Sequence, residues 1–386
     1  MESNIGFNDR LSNLPDKLLH RIMSFLSVQE AVQICMLSTR WQHLWKSLPC
    51  VRINAMEFST KKAFINFTNL FLLNHGPKPL DAFHLSITRS LDPIDFDDVD
   101  LWIFDVLSME VKVLSIDLDH TRDLHLDPFI FRSSFLKRLH LASMNISEDL
   151  IRQILSCCKQ LEDMEIIHCS MQTNNLLSQS LRKLKMIRTD ACDSCVGVYE
   201  DLSIVMPSLR FLCLDARGCR VPILAEVSSV ERASIILGED SLVDNCGIIQ
   251  ALSNTMELEI LAPGTDALAC LLRRDLGRCY VFSKLKALSL DDWCLAIDYK
   301  SLLYFLAHSP ILEKLSLILK KFSLKASEPP ETTFRCQNLK YLKVEYDEKD
   351  ARVCSLMGLI YDVAPFIKDT IEIKRTTVSS IDWVFR

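Results

Sequence analysis

One short pattern recurs between residues 80 and 344, and it restricts the fold more than any other feature of the chain. An apolar residue is followed by two variable residues, a second apolar residue, one variable residue and a third apolar one. It reads Leu80…Phe83…Leu85, Val111…Leu114…Ile116, Leu136…Leu139…Leu141 and Leu161…Met164…Ile166. It continues as Leu181…Leu184…Met186, Leu209…Leu212…Leu214, Val230…Ala233…Ile235 and Thr255…Leu258…Ile260. Leu285…Leu288…Leu290, Leu312…Leu315…Leu317 and Leu339…Leu342…Val344 complete the series. Starting points stand about 20–31 residues apart and average about 26. The alternation marks a strand with one buried face. A single strand with its return segment cannot bury that face, so the units are expected to stack into an array.

The period falls within or near the range of leucine-rich repeats. Several return segments carry helical spacing, among them Asp98–Met109, Glu148–Cys157 and Lys300–His308, the last ended by Ser309-Pro310. The Thr255 unit lacks its first apolar residue. Before the array, Val51–Asn54 reads as a strand, and residues 60–74, with Phe64, Phe67, Leu70 and Phe71, read as an amphipathic helix ended by Gly76-Pro77. Residues 320–335 read as a polar loop, and 350–373 as a closing helix and a weak strand, Ile371–Ile373. An array needs such a closing unit because an open end exposes core.

The first 50 residues follow a different rule. Leu14-Pro15-Asp16 opens a helix, with Pro15 suited to its first position and Asp16 to the positive end of its dipole. Leu18, Leu19, Ile22, Met23 and Leu26 form an apolar stripe. Ser27-Val-Gln-Glu30 is a capping box that starts a second helix, with Ala31, Val32, Cys35 and Met36 as its buried face. Ser38 or Thr39 can cap a third helix bearing Trp41, Leu44, Trp45 and Leu48, stopped by Pro49. So small a bundle cannot enclose all this apolar surface, which points to a partner.

Leu14-Pro15-Asp16, Leu18-Leu19-x-x-Ile22, Phe25-Leu26, Ala31-Val32 and Leu37-Ser-Thr-Arg40-Trp41-x-x-Leu44-Trp45 resemble the F-box in its plant version. His308–Leu317 and Val281–Leu290 are similar to phrases of plant F-box/leucine-rich-repeat proteins, and the tail resembles their C-terminal region, the FBD. The resemblance implies an α/β fold with a three-helix F-box at 9–50, a connecting strand and helix at 51–79, a curved repeat solenoid at 80–345 and a C-terminal capping unit at 346–386. It implies docking onto a Skp-type adaptor and, through it, a cullin. Adaptor contact is expected at Leu14, Pro15, Leu18, Leu19, Ile22, Leu37, Trp41 and Trp45. Leu18, Ile22, Phe25 and the two tryptophans are also expected to close the interior stripe, leaving Leu14 and Pro15 outside it.

Composition narrows the alternatives. The chain has 386 residues, 49% hydrophobic and 24% charged, which suits globular domains. No apolar run approaches the roughly 18 residues of a membrane span, and the N-terminus lacks signal-peptide character. An intracellular site, nuclear or cytoplasmic, is expected. A net charge of −6 argues against nucleic acid. Fifteen cysteines in such a compartment read as small buried hydrophobes. Nine glycines, no two within four residues of each other, exclude the usual phosphate-cradling loops.

Other constellations fall short. Cys192-Asp-Ser-Cys195 has zinc-pair spacing without a second pair. The acids Asp92, Asp95, Asp97, Asp98 and Asp100 lack the central Gly and distal Glu of a calcium loop. Cys169 stands where repeats use Asn or Cys to bond a turn's backbone. His120 and His125 read as solvated positions beside a strand. No catalytic residue, metal or cofactor is expected. The variable positions of the strands are expected to face a protein target: Arg138 and His140, Asp163 and Glu165, Lys183 and Lys185, Glu257 and Glu259, Tyr341 and Lys343. Their alternating sign suits a specific protein rather than a polyanion. The favoured function is a non-catalytic substrate receptor of a ubiquitin ligase. The rivals are a ligase-independent scaffold or inhibitor, and an enzyme with an unrecognised Cys nucleophile.

Overall fold

The structure is a computed structural model that describes residues 14–76, 79–87, 96–118, 126–187, 202–217, 221–238, 247–262, 280–295, 299–319, 333–346, 351–365, 367 and 371–375. Cys192, Cys195, His120, His125, Asp92, Asp95 and most of the 320–335 loop lie outside the described residues. The chain divides into two compact units, residues 1–172 and 173–386.

The first unit begins with α1 (Asp16–Met23) and α2 (Val28–Cys35). The capping box is present at α2: Ser27 N donates to Glu30 Oε2 at 2.9 Å and Glu30 N to Ser27 Oγ at 3.3 Å. The expected third helix is instead a run of turns ending in a 3-10 segment, Leu44–Ser47. Its amides bond three residues back, Trp41 N to Ser38 O and Leu44 N to Trp41 O, both 2.9 Å. No side chain caps Leu44–Ser47, and the residue before Pro49 is disfavoured in α geometry, so there is no room for an α-helical ladder to settle.

The chain then enters a parallel ladder of β1 (Cys50–Asn54), β2 (Ala82–Ser86), β3 (Val113–Asp117), β4 (Arg138–Ala142) and β5 (Asp163–Ile167). Two apolar rows run across it. They are Val51–Phe83–Leu114–Leu139–Met164 and Ile53–Leu85–Ile116–Leu141–Ile166, all buried. Returns are helical: α3 (Lys61–Asn74), α4 (Phe96–Ser108) and α5 (Glu148–Cys157). Phe64 of α3 meets Trp102 of α4 edge to face at 5.4 Å.

The second unit holds β6 (Lys183–Ile187), β7 (Phe211–Ala216), β8 (Arg232–Leu237), β9 (Glu257–Leu261), β10 (Ala287–Asp291), β11 (Lys314–Leu319), β12 (Tyr341–Tyr346) and β13 (Ile371–Arg375). These also pair in parallel, in order. Thr255, where the pattern lacks its apolar residue, is buried and donates its hydroxyl to Leu252 O at 2.8 Å, so it fills the position without an orphaned polar group. Three returns of this unit are short strands, Asn175–Leu177, Ser203–Val205 and Ile223–Glu226, which form their own parallel sheet. Later returns are helical again, α6 (Ile248–Ala251), α7 (Lys300–His308) and α8 (Ala351–Val363).

Register has a local cause. Within each unit, two successive amides at most strand starts donate to one carbonyl before the preceding strand. Lys137 N and Arg138 N both reach Lys112 O, at 2.8 and 3.0 Å, and Glu313 N and Lys314 N both reach Lys286 O at 2.9 Å. These are the two variable residues between the first and second apolar positions of the pattern. Slipping one residue would turn the apolar rows outward.

Candidate functional site: the docking module and the outer face of the strands

The N-terminal module buries Leu19 and Met23 of α1, together with Val28, Ala31, Cys35, Leu44 and Leu48. Leu18 and Ile22, one position away on the helix wheel, are 47% and 46% exposed, and Phe25 is 76% exposed. The expectation that Leu18, Ile22 and Phe25 close the interior is therefore corrected. A two-turn helix touches its bundle along one line, and Leu19 and Met23 already occupy it. Met36 and Leu37 are 81% and 79% exposed, so Met36 is not part of the buried face of α2. Pro15 is exposed and Leu14 half-buried. Among the residues expected to touch an adaptor, Leu19 and Trp41 are buried, and Trp45 is half-buried, tilted 5.4 Å from Phe71. Pro15, Leu18, Ile22 and Leu37 form the accessible set, joined by Phe25 and Met36.

Arg40, quoted only as part of a motif, has a structural task. Its Nη2 donates to Leu14 O at 2.7 Å and to Asp16 Oδ1 at 3.0 Å, which holds the start of α1 in place. The module runs into the strands without a linker. Gly76 N donates to Lys46 O at 2.6 Å, Asp81 N and Ala82 N donate to Pro49 O at 2.8 and 3.0 Å, and Arg52 Nη1 donates to Ser24 O. A Cβ at Gly76 would meet Lys46 O at 3.0 Å, so only glycine allows this approach without a shift.

On the outer face of the first unit, one register row runs Arg52–His84–Ser115–His140–Glu165. Arg52 is exposed and the other four are half-buried. His140 Nδ1 lies 3.3 Å from Glu165 Oε2. Burial, then Arg52 and His140, hold the His84 imidazole below the usual histidine range. Arg138 is exposed and Asp163 half-buried in the neighbouring row.

In the second unit, Lys183 Nζ and Arg232 Cζ stand 5.9 and 5.6 Å from the Phe211 ring centre, on either side along the row. Lys185 and Glu257 are half-buried. Glu259 is 1% exposed, which removes it from the accessible surface. Its Oε2 accepts from Ser234 Oγ at 2.5 Å, and burial pushes its carboxyl above the usual range. Cys213, Ser234 and Ser289 of the same row are buried too. Asp215 is held by Arg217 at 2.6 Å, and Asp291 Oδ2 accepts from Ala262 N at 2.9 Å. Tyr341 donates to Glu372, while Lys343 lies 2.5 Å from Glu345.

Burial pushes the thiols of Cys169 and Cys213 up to about 12, and those of Cys158 and Cys336 up to about 11. That is the reverse of what an activated thiolate requires. Cys169 Sγ instead donates to Leu141 O and Ile167 O, both at 3.4 Å, which is the turn-bonding role expected for it.

Sequence reasoning missed His84, Ser115 and Arg52 as neighbours of His140. The signal was present, since His84 and Ser115 occupy the same variable position of the repeat pattern as His140.

The F-box domain matches residues 11–52. An Arabidopsis thaliana protein named for an F-box and leucine-rich repeats is 27% identical over 353 residues, covering 83% of this chain and 74% of the relative. A second F-box/LRR-repeat protein of that plant is 26% identical over 343 residues, 82% of this chain and 73% of the relative. An Arabidopsis F-box/FBD/LRR-repeat protein is 30% identical over 239 residues, and the match covers 53% of this chain and only 52% of that relative. Residues 11–52 match the F-box domain, and about four fifths of the chain is similar to plant proteins named for an F-box and leucine-rich repeats.

Proposed function

We propose that the chain is the non-catalytic substrate-recognition subunit of an Skp–cullin–F-box ubiquitin ligase. The observation that carries this reading is the uncovered apolar set on the F-box module, Leu18, Ile22, Phe25, Met36 and Leu37, beside exposed Pro15. Those side chains suit the apolar centre of a protein interface. A Skp-type adaptor is the partner that an F-box implies, and the cullin follows through the adaptor. The outer face of the strands then holds the protein target, and the contribution to catalysis is proximity. The described cysteines are all free, which suits the reducing cytoplasm or nucleus where such assemblies work.

The test is a pull-down of purified Skp-type adaptor by the full chain and by Leu18→Asp/Ile22→Asp. Both side chains lie outside the core, so circular dichroism should be unchanged while adaptor binding drops at least roughly a hundredfold. Wild-type protein that is folded and does not bind the adaptor overturns this reading and favours the scaffold.

A further inference from the structure

The helical returns of the first unit have outward faces of two kinds. α5 turns Glu148, Asp149, Arg152 and Ser156 to solvent, the polar face expected of a helix packed on one side only. α3 and α4 depart from this. Their inner residues, Phe64, Phe71, Trp102 and Val106 among them, are buried, yet Leu70 and Leu73 of α3 and Leu101 and Phe104 of α4 are each more than half exposed. The members of each pair stand three positions apart and so share one side of their helix. The two helices lie side by side, since Trp102 meets Phe64 and donates its Nε1 to Asn69 Oδ1 at 2.6 Å. Leu70 adjoins Asn69 and Leu101 adjoins Trp102 in sequence, so the apolar pairs border that seam. Phe129, also exposed, extends the strip on the next return, which is tied to α4 where Asp127 N donates to the Asp100 carboxylate at 3.1 Å. Charge near the strip is acidic. α4 carries Asp97, Asp98, Asp100 and Asp105 and no Lys or Arg, and each of these acids lies within about one turn of Leu101 or Phe104. α3 is uncharged from Ala63 to Asn74; its Lys61 and Lys62 stand about two turns before Leu70, and Arg132 follows Phe129.

We infer that this strip receives an amphipathic helix of a partner protein, apolar along one side and with Lys or Arg beside the apolar residues. The inference goes beyond the receptor reading, since the strip belongs neither to the exposed set of the F-box nor to the outer face of the strands. Two helices side by side leave a groove along their seam, and a third helix fills such a groove with residues at positions i, i+3, i+4 and i+7. Its apolar side covers Leu70, Leu73, Leu101 and Phe104, which the core of this chain leaves in water. Its cations answer the carboxylates of α4, which an acidic or neutral helix would leave unpaired. A second copy of this chain is the poorer occupant. Paired about a two-fold axis, the strip would set α4 against α4, acids against acids.

Full-length protein is titrated into a fluorescent synthetic peptide of leucine and lysine, with leucine at helical spacing. The controls are the same peptide with glutamate for lysine, and the same composition rearranged into strict alternation. The helical lysine peptide should bind at least roughly tenfold tighter than either control. Leu101→Ser with Phe104→Ser should weaken it by roughly tenfold, and Leu70→Ser with Leu73→Ser by a similar factor, with circular dichroism and adaptor pull-down unchanged. Asp97→Asn with Asp105→Asn should weaken it by a few fold and flatten its dependence on salt. Leu18→Asp with Ile22→Asp, on the F-box, should bind the peptide as wild type does. No binding by wild type, binding that survives both serine variants, or binding lost in the F-box variant overturns the inference. Equal binding of the glutamate peptide overturns the cationic character of the helix. Sedimentation of the chain alone covers the other occupant: a dimer that Leu101→Ser with Phe104→Ser dissolves would assign the strip to a second copy and overturn the helix. Since adaptor binding is read in parallel, failure here with the adaptor still bound leaves the receptor reading standing.

Discussion

The two units use one repeat pattern and the same parallel pairing, yet their outer faces differ. In the first, the row from Arg52 to Glu165 stays half-buried or exposed. In the second, Cys213, Ser234, Glu259 and Ser289 at the corresponding positions are buried, while Lys185, Ser316 and Lys343 of the same row are half-buried. The inner rows are equally dry in both. What separates them is the surroundings of the strands, not the strands themselves. A polar residue at this variable position is therefore a surface group in the first unit and a buried group on β7–β10 of the second.

The largest effects should ignore the distinction. Phe83→Ala in the first unit and Leu288→Ala in the second remove fully buried row residues. Each should cost about 3–5 and about 2–5 kcal/mol respectively, read by denaturant unfolding. A mild effect in only one unit would mean that its inner row is less well filled than its register implies.

The sharpest contrast comes from equal charge reversals. Glu259→Lys places an unpaired cation in a buried site and should cost more than about 3 kcal/mol. Glu165→Lys, at a half-buried position facing His140, should stay within about 1 kcal/mol. Similar costs at the two positions would erase the difference between the faces.

A smaller effect is set by proton linkage at Glu259. Its folded proton affinity is raised by burial, so the folded state holds the proton more tightly than the unfolded chain. The cost of this carboxyl is absent below the unfolded range near about 4.3, and grows as pH rises toward the raised native value. Glu259→Gln should melt close to wild type at acid pH and a few degrees above it at neutral pH. A constant offset across the range would mean that the carboxyl does not titrate differently on folding. The smallest effect belongs to exposed rungs: Arg210→Ala breaks a 3.4 Å pair with Glu231 and should move stability by under about 1 kcal/mol in the same unfolding assay.

Much of the fold was legible in the sequence because the apolar positions of the repeats are short-range and periodic. All eleven repeat strands fall where the pattern places them, and so does the capping box at Ser27 and Glu30. Orientation was harder to read. Leu18 and Leu19 are adjacent and equally apolar, and only the rest of the bundle decides which one is covered. The returns at 175–177, 203–205 and 223–226 are strands because neighbouring segments pair with them, a contact between residues about twenty or more positions apart. Glu259 was assigned to the accessible face because period-two alternation places it opposite the inner row; nothing in its own strand records what lies over it.

The close approach at Gly76 has a mechanical consequence. A swivel between two bodies needs backbone that can rotate without breaking hydrogen bonds. Between Ser47 and Cys50 there are two residues, and Pro49 already accepts two amides from the chain that leads into β2. With Gly76 fastened to Lys46, the bearing of the first strands follows that of α1 and α2. On the receptor reading proposed above, a partner gripping Leu18 and Ile22 would aim these strands as a fixed bracket aims a lamp, and the search for a lysine within range would fall to the motions of the captive.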